Sequence, residues 1–215
     1  QLRTPHTKQA TTLDADMVLV AIGRRPSTAG LNLEYAGLRP DRDSPSPPQP
    51  GPVTEGIWLI GDAATGPMLM SKAEDEAIAC AEQIAGLPGF VNYASIPSVL
   101  YTNPEIAMIG KTEDALRLAG IPFRVGFCPL AASARGLICS TRGGSVKLLV
   151  DARTNLIAGA HVIGPGAAQL VSQVAIAMEA SMLCEDFARI CHPYPTWSEA
   201  LRQAAMAAGG WMMRT

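Results

Sequence analysis

The sequence predicts a two-part chain, an α/β segment followed by an α+β domain built on an antiparallel sheet. Near the front, two continuous apolar runs, Met17 to Ile22 and Gly56 to Ile60, are followed at once by glycine, and a long helical pattern begins at Pro67. Continuous rather than alternating apolarity marks strands covered on both faces. From about residue 94 strand-like runs dominate and helices gather after them, the order expected of an α+β domain. An apolar fraction of 48% with 17% charged residues over 215 residues is enough to bury a core in one or two domains.

Taken in order, Met17 to Ile22 ends at Gly23 and reads as a buried parallel strand with a turn after it. Residues 39–52 are dense in proline and polar residues, which excludes helix and central strand and leaves a surface loop. Gly56 to Ile60 reads as a second buried strand, and the helix that follows is expected over 67–85. Strands are predicted at 96–101, 124–127, 145–150 and 156–163, and helices at 114–119, 167–180 and 185–190. The helix over 167–180 is apolar around much of its circumference, which suits burial on two sides, by its own sheet and by a partner.

Charge and composition exclude several classes. A net charge of −2 offers no basic field for nucleic acid or anionic lipid, and neither partner is expected. No apolar run approaches the roughly 18 residues needed to span a bilayer, so a cytoplasmic location is the default. The five cysteines, at 80, 128, 139, 184 and 191, form no Cys-x-x-Cys, and the three histidines are scattered, so no metal site is expected. The thiols read as buried and reduced; Cys184 and Cys191 are the one pair close enough in sequence to consider for a disulfide. His161, in an apolar strand, reads as a core histidine with satisfied hydrogen bonds. Gly164-Pro165-Gly166-Ala167-Ala168-Gln169 has proline inside the loop and glutamine at the third glycine position, and so fails as a dinucleotide-binding fingerprint.

Two segments carry chemistry. Asp62 sits at the carboxyl end of the second strand, where open α/β sheets bind their ligands, and Gly61 before it allows close approach to the backbone. The free amides of the next helix point at whatever lies ahead of it, with about half a positive charge at that end. The second segment is Cys191 to Glu199, a proline-flanked stretch that holds His192, Tyr194 and Glu199. His192 and Tyr194, two apart in an extended stretch, are expected on the same side.

Asp16 to Pro26, Ile57 to Glu76, Asn92 to Glu105, Gly110 to Glu113, Ile157 to Pro165 and His192 to Glu199, in that order, resemble the class I pyridine nucleotide-disulfide oxidoreductases, most closely the dihydrolipoamide dehydrogenases. The resemblance implies the end of an NAD-binding domain at 1–24, the C-terminal part of an FAD-binding domain at 25–93 and an interface domain at 94–215. It implies FAD and NAD as cofactors of a longer parent, a homodimer through residues 94–215, and a 2-oxo acid dehydrogenase complex as a further partner. Ala21, Ile22, Gly23 and Arg24 would lie against the nucleotide. Gly61 and Asp62 would meet the ribityl chain, and Met68, Leu69, Met70 and Ser71 would present backbone atoms to the flavin ring. The family's short hairpin near 39–52 is expected to be degraded here by proline.

Departures from the family pattern are as informative. The phosphate-binding glycine loops and the redox cysteine pair that begin the family are absent, so the chain reads as the C-terminal portion of a longer protein. The signature His-x-His-Pro-Thr-x-x-Glu reads His192-Pro193-Tyr194-Pro195-Thr196-Trp197-Ser198-Glu199. Tyr194 replaces the base, and a phenol starts roughly three pK units, about 4 kcal/mol, behind an imidazole as a base near neutral pH. His192 is the other candidate for the base, should the segment shift, and Glu199 keeps the position of the glutamate that orients the base in the family. The functional expectation is therefore a flavin-dependent, nicotinamide-linked disulfide oxidoreductase, inactive as this stretch alone. Two alternatives stand beside it: a non-catalytic homodimerisation module, and a relative whose tyrosine serves a different substrate.

Overall fold

The computed structural model describes residues 2–3, 10–12, 14–38 and 50–211. The core lies in the second half. Five strands, β5 (Ser98–Leu100), β6 (Ile106–Gly110), β7 (Phe123–Pro129), β8 (Ser145–Asp151) and β9 (Ile157–Ile163), form an antiparallel sheet in the order β5-β6-β9-β8-β7. Alternation sets its two faces: Ala107, Ile109, Cys128, Val146, Leu148, Ala160 and Val162 point into the core. Helices α4 (Ala167–Glu179), α5 (Cys184–Arg189) and α6 (Ser198–Ala208) cover that face, α4 over β6 and β9 and α6 over β7 and β8. Contact there is close. A Cβ at Gly126 would lie 1.9 Å from the Ala204 carbonyl oxygen, so only glycine lets β7 and α6 approach.

Short helices α2 (Glu113–Leu118) and α3 (Ala134–Ile138) fill the connections. Thr112 starts α2 by accepting from Ala115 N at 3.1 Å, and Ser133 starts α3 by accepting from Gly136 N at 3.0 Å. Gly164 and Gly166, rejected above as a nucleotide loop, serve the fold: both have positive φ, and Gly166 is the left-handed residue from which α4 begins.

The first part is sparser. Two antiparallel ribbons, β1 (Leu2–Arg3) with β2 (Ala10–Thr11) and β3 (Pro52–Thr54) with β4 (Ile57–Trp58), precede α1 (Met70–Ile84). The expected parallel strand over 17–22 is not formed: Met17, Val18, Leu19, Val20 and Ile22 are 71–92% exposed. Among the described residues no strand pairs with this run, and apolarity alone cannot replace the missing ladder. The second strand shrinks to Ile57–Trp58 and pairs antiparallel with β3, which begins at Pro52 at the end of the proline-rich stretch. Residues 39–49 of the proposed loop lie outside the described residues. The helix expected from Pro67 begins at Met70, because Leu69 is still extended with φ −117° and ψ 139°.

In the second half every expected strand and helix is found within a few residues, and three elements were not anticipated: β6, α3 and α6. Among the described residues, no helix is long and apolar enough to cross a membrane.

Candidate functional site

The expected site residues fall in two places. The first is the turn after β4. Gly61 opens a 3-10 turn over Gly61–Ala63 with φ +63°, and a Cβ there would come within 3.2 Å of the Ala73 Cβ. Both conformation and space call for glycine. Asp62 follows, and its carboxylate pairs with Arg24 Nη1 at 2.8 Å, while Arg24 Nη2 donates to the Met68 carbonyl at 3.0 Å. The single guanidinium thus ties Asp62 to the segment that leads into α1. Leu69, the residue before α1, makes no side-chain cap, so the amides of Met70 and Ser71 at the helix start are free to meet an electron-rich group.

Of the tetrapeptide expected against a nucleotide, only Arg24 is brought to this turn; Ala21, Ile22 and Gly23 are exposed, and a Cβ at Gly23 would meet nothing. Together, a half-exposed carboxylate at a glycine turn and an uncapped helix start suit a polyhydroxylated chain ending in an electron-rich ring. The ribityl chain and ring of FAD have that chemistry.

The turn is held from behind by residues that sequence reasoning did not single out. Gly61 N donates to Glu76 Oε2 at 2.6 Å, and the Gly61 carbonyl accepts from Lys72 Nζ at 2.9 Å. Lys72 and Glu76 form an ion pair at 3.0 Å with side chains 0% and 2% exposed, and Tyr93 donates to Glu76 Oε1 at 2.7 Å. Burial, then the bond to Glu76, then its charge, hold the Tyr93 phenol well above its ordinary range. The Lys72, Glu76 spacing of four on one helix face was legible. Tyr93 was not, because it reaches Glu76 only when the chain after α1 doubles back.

The second place is the 191–199 segment, and here the expected set is dispersed. Tyr194 is 74% exposed and makes no hydrogen bond among the described residues. His192 is half-buried, its ring 6.0 Å from that of Phe187, with Nε2 buried and unpartnered. Burial, and then the nearby Arg202 charge, lower its pKa. The same-side expectation for His192 and Tyr194 fails because the chain bends from Tyr194 through Thr196, where Thr196 Oγ1 donates back to the Pro193 carbonyl at 2.7 Å. Glu199 is elsewhere again, in the first turn of α6, with Oε2 accepting from Ala134 N at 3.1 Å at the start of α3. Its charge, behind the larger effect of burial, helps push the Cys128 thiol up to about 11.

His161 is not the satisfied core histidine expected. It stands on the outer face of the sheet in the cross-strand row Met108, His161, Lys147, Phe127, half-buried, with Nδ1 unpartnered. Burial and then Lys147 lower its pKa, with Glu113 opposing. Cys80, Cys128 and Cys184 are buried as expected, but Cys139 and Cys191 are exposed, and all of these thiols are free. Among the described residues no group of three or more His, Cys, Asp or Glu could hold a metal ion.

Comparison with known proteins agrees with this division. Residues 2–77 match the family model described as pyridine nucleotide-disulphide oxidoreductase, and residues 96–205 match the dimerisation domain of the same family. Dihydrolipoyl dehydrogenase 3 of Pseudomonas putida is 48% identical over 206 residues, 95% of this chain and 44% of that protein. The mitochondrial dihydrolipoyl dehydrogenase of Homo sapiens is 44% identical over 202 residues, 93% of this chain and 40% of that one. Among solved structures, LpdA from Mycobacterium tuberculosis superimposes with a TM-score of 0.76 at 25% identity, over 85% of this chain and 40% of that chain. The flavoprotein disulfide reductase RclA from Escherichia coli shares the fold, with a TM-score of 0.70 over 84% of this chain and 42% of that chain at 23% identity. The chain thus spans less than half the length of these relatives, and within that span it belongs to the pyridine nucleotide-disulphide oxidoreductase family, carrying part of the nucleotide-binding region followed by the dimerisation domain.

Proposed function

We propose that this chain is the C-terminal portion of an FAD-dependent, NAD-linked disulfide oxidoreductase of the dihydrolipoyl dehydrogenase type. The observation that carries the reading is the Gly61–Asp62 turn, with Arg24 across it and the uncapped start of α1 beside it. Asp62 would accept from a ribityl hydroxyl, and the backbone of Met68, Leu69, Met70 and Ser71 would face the flavin ring. Gly61 lets the cofactor approach, and Ala21, Ile22 and Gly23 would border the nucleotide once neighbouring strands cover them. FAD, when bound, would carry electron pairs between a dithiol and NAD+. The contribution of this chain is to orient the cofactor and exclude water from one side of it.

We place domain boundaries at 1–24, 25–93 and 94–215, with a homodimer formed through the last. Exposed Ile176 on α4, opposite the buried Leu170, Val171 and Val174, supports a partner on that helix. A 2-oxo acid dehydrogenase complex is the natural assembly for an activity of this type, in the cytoplasm, and the net charge of −2 supports neither nucleic acid nor an anionic membrane as partner.

At the 191–199 segment, Tyr194 would donate a hydrogen bond to a thiolate or disulfide presented by a second subunit rather than take its proton. His192 would need to leave the Phe187 contact to act as the base. Glu199 would serve chiefly to fix α3. These placements favour a second reading, a dimerisation module with no redox turnover of its own.

A flavin titration followed by absorbance and fluorescence, with light scattering on the same sample, separates the two. Stoichiometric FAD with a shifted spectrum supports the cofactor half-site; a colourless dimer supports the module and refutes flavin binding by this chain.

A further inference from the structure

We propose that Lys72, Glu76 and Tyr93 are positioning residues for Asp62, a buried relay that makes the cofactor-facing turn depend on the junction with the dimerisation domain. The inference rests on the flavin reading of that turn.

Gly61 gives both of its backbone polar groups to one ion pair, its N–H to Glu76 at 2.6 Å and its carbonyl to Lys72 at 2.9 Å. The Gly61 carbonyl shares a rigid peptide plane with the Asp62 N–H, so holding it fixes the direction in which Asp62 leaves the turn. A fully buried Lys–Glu pair is a poor source of net stability, because desolvation offsets the Coulombic gain; what such a pair supplies when every partner is directional is geometry. Here the partners are directional. Lys72 reaches the Gly61 carbonyl and both Glu76 oxygens, and Oε1 of Glu76 also takes the Tyr93 hydroxyl at 2.7 Å.

Tyr93 is delivered by a return of the chain along α1. Gln83 Nε2 donates to the Gly89 carbonyl at 2.6 Å, and Gly89 passes so near that a Cβ there would sit 2.0 Å from the Ala79 carbonyl oxygen. Two residues on, Ser95 donates its hydroxyl to Glu179 in α4, the helix that packs on the central strands of the sheet. A continuous path therefore runs from α4 through Ser95, Tyr93, Glu76 and Gly61 to Asp62. A shift at either end strains a hydrogen bond, buried at Gly61 and part-buried at Tyr93 and at the exposed Glu179.

The test combines amide hydrogen exchange on the labelled chain with FAD titration, for the wild type, Tyr93→Phe, Glu76→Gln and Asp62→Asn. Ile109→Val, a core change that touches none of the relay's hydrogen bonds, controls for general loss of Tm. Tyr93→Phe leaves the ion pair intact, so it remains informative if Glu76→Gln does not fold. The expected result is exchange at Gly61 faster by roughly tenfold in Tyr93→Phe, with FAD affinity weakened by a similar factor, while Ile109→Val moves neither at equal Tm loss. Faster Gly61 exchange with unchanged FAD affinity overturns the positioning role, and unchanged exchange in Tyr93→Phe overturns the relay. Absent FAD binding, or binding indifferent to Asp62→Asn, overturns the flavin reading instead, and the Gly61 exchange still decides whether the relay exists.

Discussion

Met17 to Ile22 and Val146 to Val150, the second interrupted only by Lys147, are both rich in apolar residues, yet they have opposite fates. Val146, Leu148, Leu149 and Val150 are 0% exposed in β8, bonded on one side to β7 and on the other to β9. Met17, Leu19 and Ile22 are 89–92% exposed and pair with no strand among the described residues. What separates them is neighbours. A strand's backbone donors and acceptors need partners from other segments, and its side chains need surfaces to lie against. A buried-looking run is therefore a statement about what must surround it.

The largest effect that sharpens this contrast is a paired truncation. Leu148→Ala is expected to cost about 2–5 kcal/mol in urea unfolding, whereas Leu19→Ala costs less than about 0.5 kcal/mol. Equal losses at the two sites would break the comparison. Next comes the close approach of sheet and helix: Gly126→Ala must displace the Ala204 carbonyl, with an expected loss of about 1–3 kcal/mol by thermal unfolding. An unchanged Tm would show that β7 and α6 are not so tightly apposed.

Acid supplies a smaller effect confined to the second half. His161 and His192 have pKa values below the ordinary 6.5 in the folded chain, so the unfolded chain binds protons that the folded one does not. Their contribution is fully present above the ordinary value and is lost as the pH falls below it. Glu113, which faces His161 together with Lys147, has its pKa lowered chiefly by the bond to Lys147, and its contribution is lost only below about 4.5. Between pH 7.5 and 5.5 the Tm should fall, and His161→Leu should shrink the fall; an identical fall in that variant would remove His161 from the account. Smallest is Tyr194→His, which restores the family letter at an exposed position and should change stability by less than about 0.5 kcal/mol. A large loss would mean that Tyr194 packs in a way the exposed ring does not suggest.

The antiparallel domain was largely legible because its strands and helices carry their own periodicity. β6 escaped notice because Ile106 to Gly110 is short and offers only Ala107 and Ile109 to the core. α6 was not anticipated although Ala200, Leu201, Ala204, Ala205 and Ala208 repeat at helical spacing, because alanine, which also fills Ala207 outside the repeat, gives little apolar contrast between the two faces. At the site, Gly61 and Asp62 were found from a strand end and a glycine. Arg24 was expected against the nucleotide, but its pairing with Asp62 and Met68 belongs to the folded chain. Lys72 was hidden by the rule that lysine is seldom fully buried, which holds until a partner such as Glu76 is in place.

The strand order β5-β6-β9-β8-β7 also sets a sequence of assembly. β7, β8 and β9 are joined by successive antiparallel pairings and can close early, whereas β6 must wait for β9 across α2, β7, α3 and β8. Pulse-labelled exchange during refolding should therefore protect Leu148 before Ile109. During synthesis the earlier strands would leave the ribosome first and yet be last to dock, an interval in which β5 and β6 present an open edge to any chain that can pair with them.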